Sequence, residues 1–304
     1  MPAPLSRSTA VTLQEAERPG IRARRSGTAA ILAALFRKRS AQIGGAIIML
    51  LLATAALAGF LAPYDPYRLD PLSQLGPPSS LHWLGTDALG RDELSRIIYG
   101  TRITLVIGAI SVGIAMVLGV TCGIVAGYYG RWVDLLLMRL IDIMLALPYI
   151  LLALAIVAIL GPGLGNTMIA IGISNVPGWV RLVRGNVLTI RRHDFVLAAN
   201  ALGARDARVM FVHILPNTVS SIVVLATLQF ATAILAAAAL SFVGLGAQPP
   251  SPEWGALLVG ARDFMFTAPW LVNFPGLAIF LVVLGFNLFG NALRDTLDPT
   301  LRMS

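Results

Sequence analysis

Lysine and cysteine are all but missing from this chain: Lys38 and Cys122 are the only ones in 304 residues. Lys38 precedes every long apolar run, so no GxxxxGK[ST] loop exists and the chain cannot cradle nucleotide phosphates in that way. Cys122 sits inside an apolar run, which excludes an internal disulfide and a thiolate metal site. Histidine is scarce as well. His82, His193 and His213 are far apart in sequence and offer neither a metal ligand set nor a nucleophile–base pair. Charge is thin at 12% of residues against 57% hydrophobic, with a mean hydropathy of +0.78. A soluble domain of this length could not cover so much apolar surface, so the composition is that of an integral membrane protein. No His or carboxylate lies at mid-depth of an apolar run, and Asp142, near one end of its run, is the innermost. That counts against ion-coupled carriers and intramembrane proteases. No repeat of solenoid length is present.

What is present is a series of runs long enough to cross about 30 Å of hydrocarbon at about 1.5 Å per residue. They lie at 43–62, 103–127, 143–160, 166–180, 218–246 and 275–293. The fourth is short, carries Pro177, and is expected to continue past Arg181 and Arg184 by snorkelling. The first is too long, and preceded by too long a lead, for a cleaved signal peptide; it reads as a signal anchor. All the basic residues except Lys38 are arginine. With the N-terminus inside, inner segments hold 18 of the 23 basic residues, and Arg68, Arg91, Arg96, Arg102 and Arg262 fall outside. Both termini are therefore expected in the cytoplasm.

Residues 1–30 show no apolar period and read as disordered. Residues 63–102 form the longest outer loop, and 247–273 the other, where three prolines predict an irregular path. Ala115, Gly119, Gly123 and Gly127 recur every fourth residue in the second run, a nearly bare helix face for close helix packing. Arg139 and Asp142 are spaced for a local ion pair, with a kink expected at Pro148. Asn175, Gln229 and Asn287 reach membrane depth. Two readings stay open for them: interhelical hydrogen bonding, or an uncharged polar translocation path.

Residues 194–217, DFVLAANALGARDARVMFVHILPN, form a charged loop between apolar segments. The pattern predicts two short helices, with Asp194 and Asp206 as N-caps, Gly203 as the turn, and Pro216 as the stop. This loop resembles the cytoplasmic coupling segment, the EAA loop, of ABC importer permeases. That pattern runs E-A-A, three residues, Gly, nine residues, I-x-L-P. Here the positions are Leu197, Ala198, Ala199, Gly203, His213, Leu215 and Pro216, with Leu197 replacing the acid and His213 the Ile. Further segments resemble the peptide/nickel branch, which includes dipeptide, oligopeptide and glutathione systems. They are HWLGTDALGRD at 82–92, YGTRITL at 99–105, RLIDIMLALP at 139–148, ALSFVGLGAQPPSPEWG at 239–255, APWLVNFPGLAIFL at 268–281 and FNLFGNALRDTLDPTLR at 286–302. The likeness spans about residues 35–302 and fits the second permease of such a pair.

The resemblance implies an all-α membrane protein of six transmembrane helices with cytoplasmic coupling helices, like a type I ABC importer permease. Its parts would be a tail at 1–35, a signal-anchor helix and outer loop at 36–102, and a five-helix core at 103–302 with the coupling loop at 191–217. It implies a multi-pass protein of the bacterial inner membrane that moves di- or oligopeptides, with glutathione or nickel as alternatives. The implied partners are a homologous permease, two ATPase subunits and an extracytoplasmic solute-binding protein. ATP and magnesium would be bound by the ATPases and no cofactor by this chain. Leu197, Ala198, Ala199, Ala201, Gly203, Arg205, Leu215 and Pro216 would make the coupling contact, resting on shape and apolar packing because the acid is missing. A reading from another class, a membrane assembly subunit without transport, is left standing by the arginine-rich loops.

Overall fold

The computed structural model describes residues 28–297; of the tail expected to be disordered over 1–30, residues 1–27 lie outside them and 28–30 instead open a helix, and the end of the 286–302 segment with Arg302 also lies outside. Among the described residues the chain is helical without strands, with one isolated bridge between Thr86 and Asp92. The helices are α1 (Thr28–Phe36), α2 (Arg39–Ala56), α3 (Glu93–Tyr129), α4 (Arg131–Leu145), α5 (Tyr149–Leu160), α6 (Leu164–Ile190), α7 (Asp194–Ala201), α8 (Leu215–Phe242), α9 (Trp254–Ala261) and α10 (Trp270–Leu297).

By length and composition, α2, α3, the run Asp206–Phe242 that ends in α8, and α10 can cross a membrane, and the bent pair α4–α5 makes a possible fifth. The run expected as a fourth span lies in α6. Its 27 residues would reach about 40 Å, but Asn166, Asn175, Arg181 and Arg184 make it too polar to qualify alone. Packed against α3, α5 and α8, it buries Met168, Ile171, Trp179, Val183 and Val187 in the largest core cluster, and Val180 with Ile141 of α4 in a smaller one.

The expected third span is not one helix. α4 and α5 meet at 91°, far more than a kink. Pro148 lacks an N–H, and its ring pushes Leu147 out of the α region, so the helix ends at Leu145 and restarts at Tyr149. α5 has 12 residues, about 18 Å, and cannot cross alone. The expected Arg139–Asp142 pair is also replaced. Asp142 takes Arg181 Nη2 at 2.8 Å, and Asp134 takes Arg184 Nε and Nη2 at 2.5 and 2.6 Å. Two arginines expected to snorkel thus tie α6 to α4, the second by a two-toothed bond whose planar geometry suits guanidinium.

The small-residue face of α3 meets α6 as its spacing predicts. A Cβ at Gly119 would lie 2.2 Å from Trp179 Cβ, one at Gly123 2.8 Å from Val183 Cβ, and one at Gly127 2.7 Å from Val187 Cβ. Glycine is therefore required by the backbone approach, not by its conformation. Ser111 Oγ adds a bond to Met168 O at 3.2 Å across the same seam. The 247–273 segment is more regular than its prolines suggest, because α9 forms within it. Glu253 caps α9, accepting from Gly255 N and Ala256 N at 2.9 Å each. Burial pushes the Glu253 carboxyl above its ordinary pKa, while hydrogen bonds from Gly255, Ser241 and Ala256 pull the other way.

Candidate functional site

Residues 191–217 have a buried underside and a bare outer face. Val196 of α7, with Val209, Met210 and Ile214, joins Val183 and Val187 in the main core. α7 then closes on glycine. Gly203 takes φ +78°, its N–H bonds Asn200 O at 2.9 Å, and Ala204 N–H reaches back to Ala199 O at 3.1 Å. That paired pattern satisfies two carbonyls at the end of α7 and needs a residue without a Cβ cost at position 203.

The expected caps are not formed by the aspartates. His193 and Arg205 occupy the cap positions without side-chain bonds, and Asp194 and Asp206 are the first helical residues. A carboxylate there still faces the positive helix end. Asp206 has a second task, accepting from Tyr128 Oη at 2.9 Å and so fastening the loop to the end of α3. Arg191 Nη1 covers carbonyls of the same helix end, Gly127 O at 2.9 Å and Tyr128 O at 3.4 Å.

Pro216 does not stop the second helix. The helical path runs unbroken from Asp206 to Phe242, with Pro216 in the first turn of α8, where a missing N–H is tolerated. The preceding residues, Val209–Ile214, widen into a π-helical turn, and Leu215 N–H bonds Met210 O, five residues back. Asn217 Nδ2 donates to His213 O at 2.7 Å, covering a carbonyl at this register change. Such turns cluster at functional positions. The long helix thus begins within the loop, at Asp206.

The outer face carries Leu197 (54% exposed) and Leu202 (88%), with Phe195, Phe211 and Val212 also exposed. Ala198, Ala201, Gly203, Arg205 and Pro216 are exposed beside them, whereas Ala199 and Leu215 are half-buried. Sequence reasoning overlooked Leu202, Phe195 and Phe211. Their signal was available, since large apolar side chains in an otherwise charged loop ask for a covering surface.

The three mid-depth amides are not brought together. Gln229 Oε1 accepts from Trp179 Nε1 at 2.5 Å, an interhelical bond between α8 and α6. Asn175 Nδ2 donates to Ile171 O of its own helix at 3.0 Å. Asn287 is half-buried, and no hydrogen bond links any two of the three. Among the described residues, no group of three or more His, Cys, Asp or Glu could hold a metal ion.

The fold is a helical bundle that carries an apolar-faced loop at one end. Two structures of the MetNI methionine ABC transporter in inward-facing conformations share it, with TM-scores of 0.54 and 0.55. They cover 67% of this chain and 97% and 98% of theirs, at 19% identity, which shows the fold alone. Residues 119–303 match the family described as binding-protein-dependent transport system inner membrane component, and residues 28–78 the N-terminal TM domain of oligopeptide transport permease C. The chain belongs to this family of multi-pass membrane permeases. It is 51% identical over 268 residues to a dipeptide transport system permease of Alkalihalophilus pseudofirmus, covering 88% of each chain. A glutathione transport system permease of Pectobacterium atrosepticum is 49% identical, covering 88% of this chain and 89% of its own. A di/tripeptide transport system permease of Pseudomonas aeruginosa is 50% identical, covering 88% and 90%.

Proposed function

We propose that this chain is one permease of an ATP-driven importer for di- or oligopeptides, paired with a homologous permease. In this reading residues 191–217 face the cytoplasm, as do both termini, in a bacterial inner membrane. Two ATPase subunits dock there and bind the ATP and magnesium, and a solute-binding protein delivers peptide from outside. The chain itself binds no cofactor. Leu197, Ala198, Ala199, Ala201, Gly203, Arg205, Leu215 and Pro216 form the coupling surface, to which the exposed Leu202, Phe195 and Phe211 are added.

One observation carries the reading: the loop's exposed apolar face extends to Phe211 and Val212, which lie in the π-helical turn of a 37-residue run ending in α8. A push on the loop becomes rigid-body motion of a membrane helix, which is how ATPase closure would open the path. The names of the relatives favour peptides, with glutathione, itself a peptide, as the second reading. Asn175, Gln229 and Asn287 remain candidates for the path, although Gln229 serves first as a structural link.

Affinity capture of the full chain from its own membranes should bring down two ATPases and a second permease. The purified complex with its binding protein should then hydrolyse ATP faster when a dipeptide is added. Capture without any ATPase would instead leave the non-transporting assembly subunit.

A further inference from the structure

At the end of the bundle opposite residues 191–217, a cavity of about 730 Å³ opens between the loop around residues 67–96, α9 and the turn that follows α8. α3 joins the two ends. Tyr128, near its last turn, holds Asp206, and Glu93 begins it about 53 Å away.

The cavity wall carries a cluster of charged side chains. Asp87 serves two guanidinium groups, taking Arg91 Nε at 2.7 Å and also Arg96 Nη1. Its Oδ1 is occupied by Leu89 N at 2.8 Å and Arg91 N at 2.9 Å. Asp87 is thus shared between two arginines, and Glu93 is the second carboxyl group on this wall. Glu93 lines the same cavity, only 1% exposed, and its Oε1 accepts no hydrogen bond. Arg96 lines it too, 4% exposed, and its Nε donates none. Glu93 and Arg96 do not bond to each other, so an orphan acceptor and an orphan donor share one cavity wall. Buried polar groups are normally satisfied, so two unpartnered atoms on one wall point to a partner that the chain itself does not supply.

We propose that this cavity binds a small zwitterion, with an ammonium group against Glu93 and a carboxylate against Arg96 and Arg91. A ligand of one sign would satisfy one orphan and leave the other. The volume lies in the ordinary range for small-molecule sites, and Tyr67, with apolar neighbours such as Val259, would cover the ligand's uncharged middle. Short peptides have this chemistry, and choosing them as probes rests on the importer reading above.

The test uses the full-length chain in lipid nanodiscs, without any binding protein, and calorimetric titration with dialanine, N-acetyl-dialanine and dialanine amide. Dialanine should bind, and each blocked form should bind at least about tenfold more weakly, as for loss of one charge-assisted hydrogen bond. Glu93→Gln should cost dialanine a similar factor while leaving the N-acetyl form unchanged. Val259→Trp, which fills the cavity without touching the charge cluster, should abolish binding of all three. Equal binding of the blocked peptides, unchanged affinity in Glu93→Gln, or no binding of dialanine at millimolar concentration would overturn the site. Uptake of labelled dialanine by cells carrying the whole system separates the two readings. No wild-type uptake sinks the importer assignment, whereas normal uptake with an unaltered KM in Glu93→Gln sinks the site alone.

Discussion

The two ends of α3 handle charge in opposite ways. At the Glu93 end, carboxylates and arginines are buried against one another: Asp87 is 9% exposed and Arg96 4%, and Asp92 is locked by Ser95 N at 2.8 Å and His82 Nδ1 at 2.9 Å. Two indole N–H groups brace the same end, Trp254 Nε1 on Ile97 O at 3.0 Å and Trp270 Nε1 on Thr86 O at 3.3 Å. At the Tyr129 end Arg191 and Asp206 only fasten the helix end, Arg205 and Arg208 are exposed, and leucine and phenylalanine stay uncovered. A buried polar cluster is stiff, because breaking any member strands another. An exposed apolar face costs nothing to keep mobile and gains only when something covers it. The first end is built to hold a shape and the second to be held.

If that contrast is right, the largest stability change comes from the Glu93 end. Asp87→Ala removes the acceptor shared by the buried Arg96 and the half-buried Arg91 and strands the first in the protein, a loss of about 3–5 kcal/mol. Thermal unfolding of the detergent-solubilised chain should show a strongly lowered midpoint. An unchanged midpoint would mean that the arginines are satisfied by water and that the cluster is not a brace.

How much of this was visible beforehand depends on the range of the interaction. The glycine stripe of α3 was legible because its meaning is local: a face without side chains admits a neighbour, whichever helix that is. Gly203 was legible for the same reason, since its turn is set by its own φ. The partners of Asp142 and Asp134 were not, because Arg181 and Arg184 lie 39 and 50 residues away and only the 91° bend at Pro148 brings α4 beneath α6. A proline signals a break, but its angle is decided by what the second half packs against. Likewise, Pro216 looked like a stop because its missing N–H is read locally. The π-helical turn before it and Asn217 absorb that loss, and the helix continues. The cavity at the Glu93 end was invisible in the sequence, since its wall combines residues from both ends of the chain.

A middle-sized effect is expected at Gly203. Gly203→Val places a β-branched residue at φ +78°, at a cost of about 1–2 kcal/mol, although a Cβ there would meet no neighbour. The chain should still insert and unfold cooperatively at a slightly lower temperature. Peptide-stimulated ATP hydrolysis should nevertheless disappear, because α7 can no longer end where it does. Normal stimulation would remove the loop from the coupling role. Tyr128→Phe is milder, deleting one partly exposed hydrogen bond to Asp206 worth about 0.5–1.5 kcal/mol. Its expected signature is faster amide exchange at residues 203–208 with little change elsewhere.

The smallest stability effect should come from the substitution that separates the two ends most sharply. Leu202 is 88% exposed and follows the last residue of α7, so Leu202→Asp disturbs no packing within the chain and should alter stability by no more than about 0.5 kcal/mol. If the outer face of the loop is a docking surface, a carboxylate placed there must be desolvated against an apolar partner surface. Co-purification of the ATPases and peptide-stimulated hydrolysis should then both fall by at least about tenfold, since tenfold corresponds to about 1.4 kcal/mol. A chain that folds as before but no longer holds its partners is the result expected of an end built to be held. If Leu202→Asp instead kept its partners and lowered the unfolding temperature, the apolar face would be structural, and the contrast between the two ends of α3 would fail.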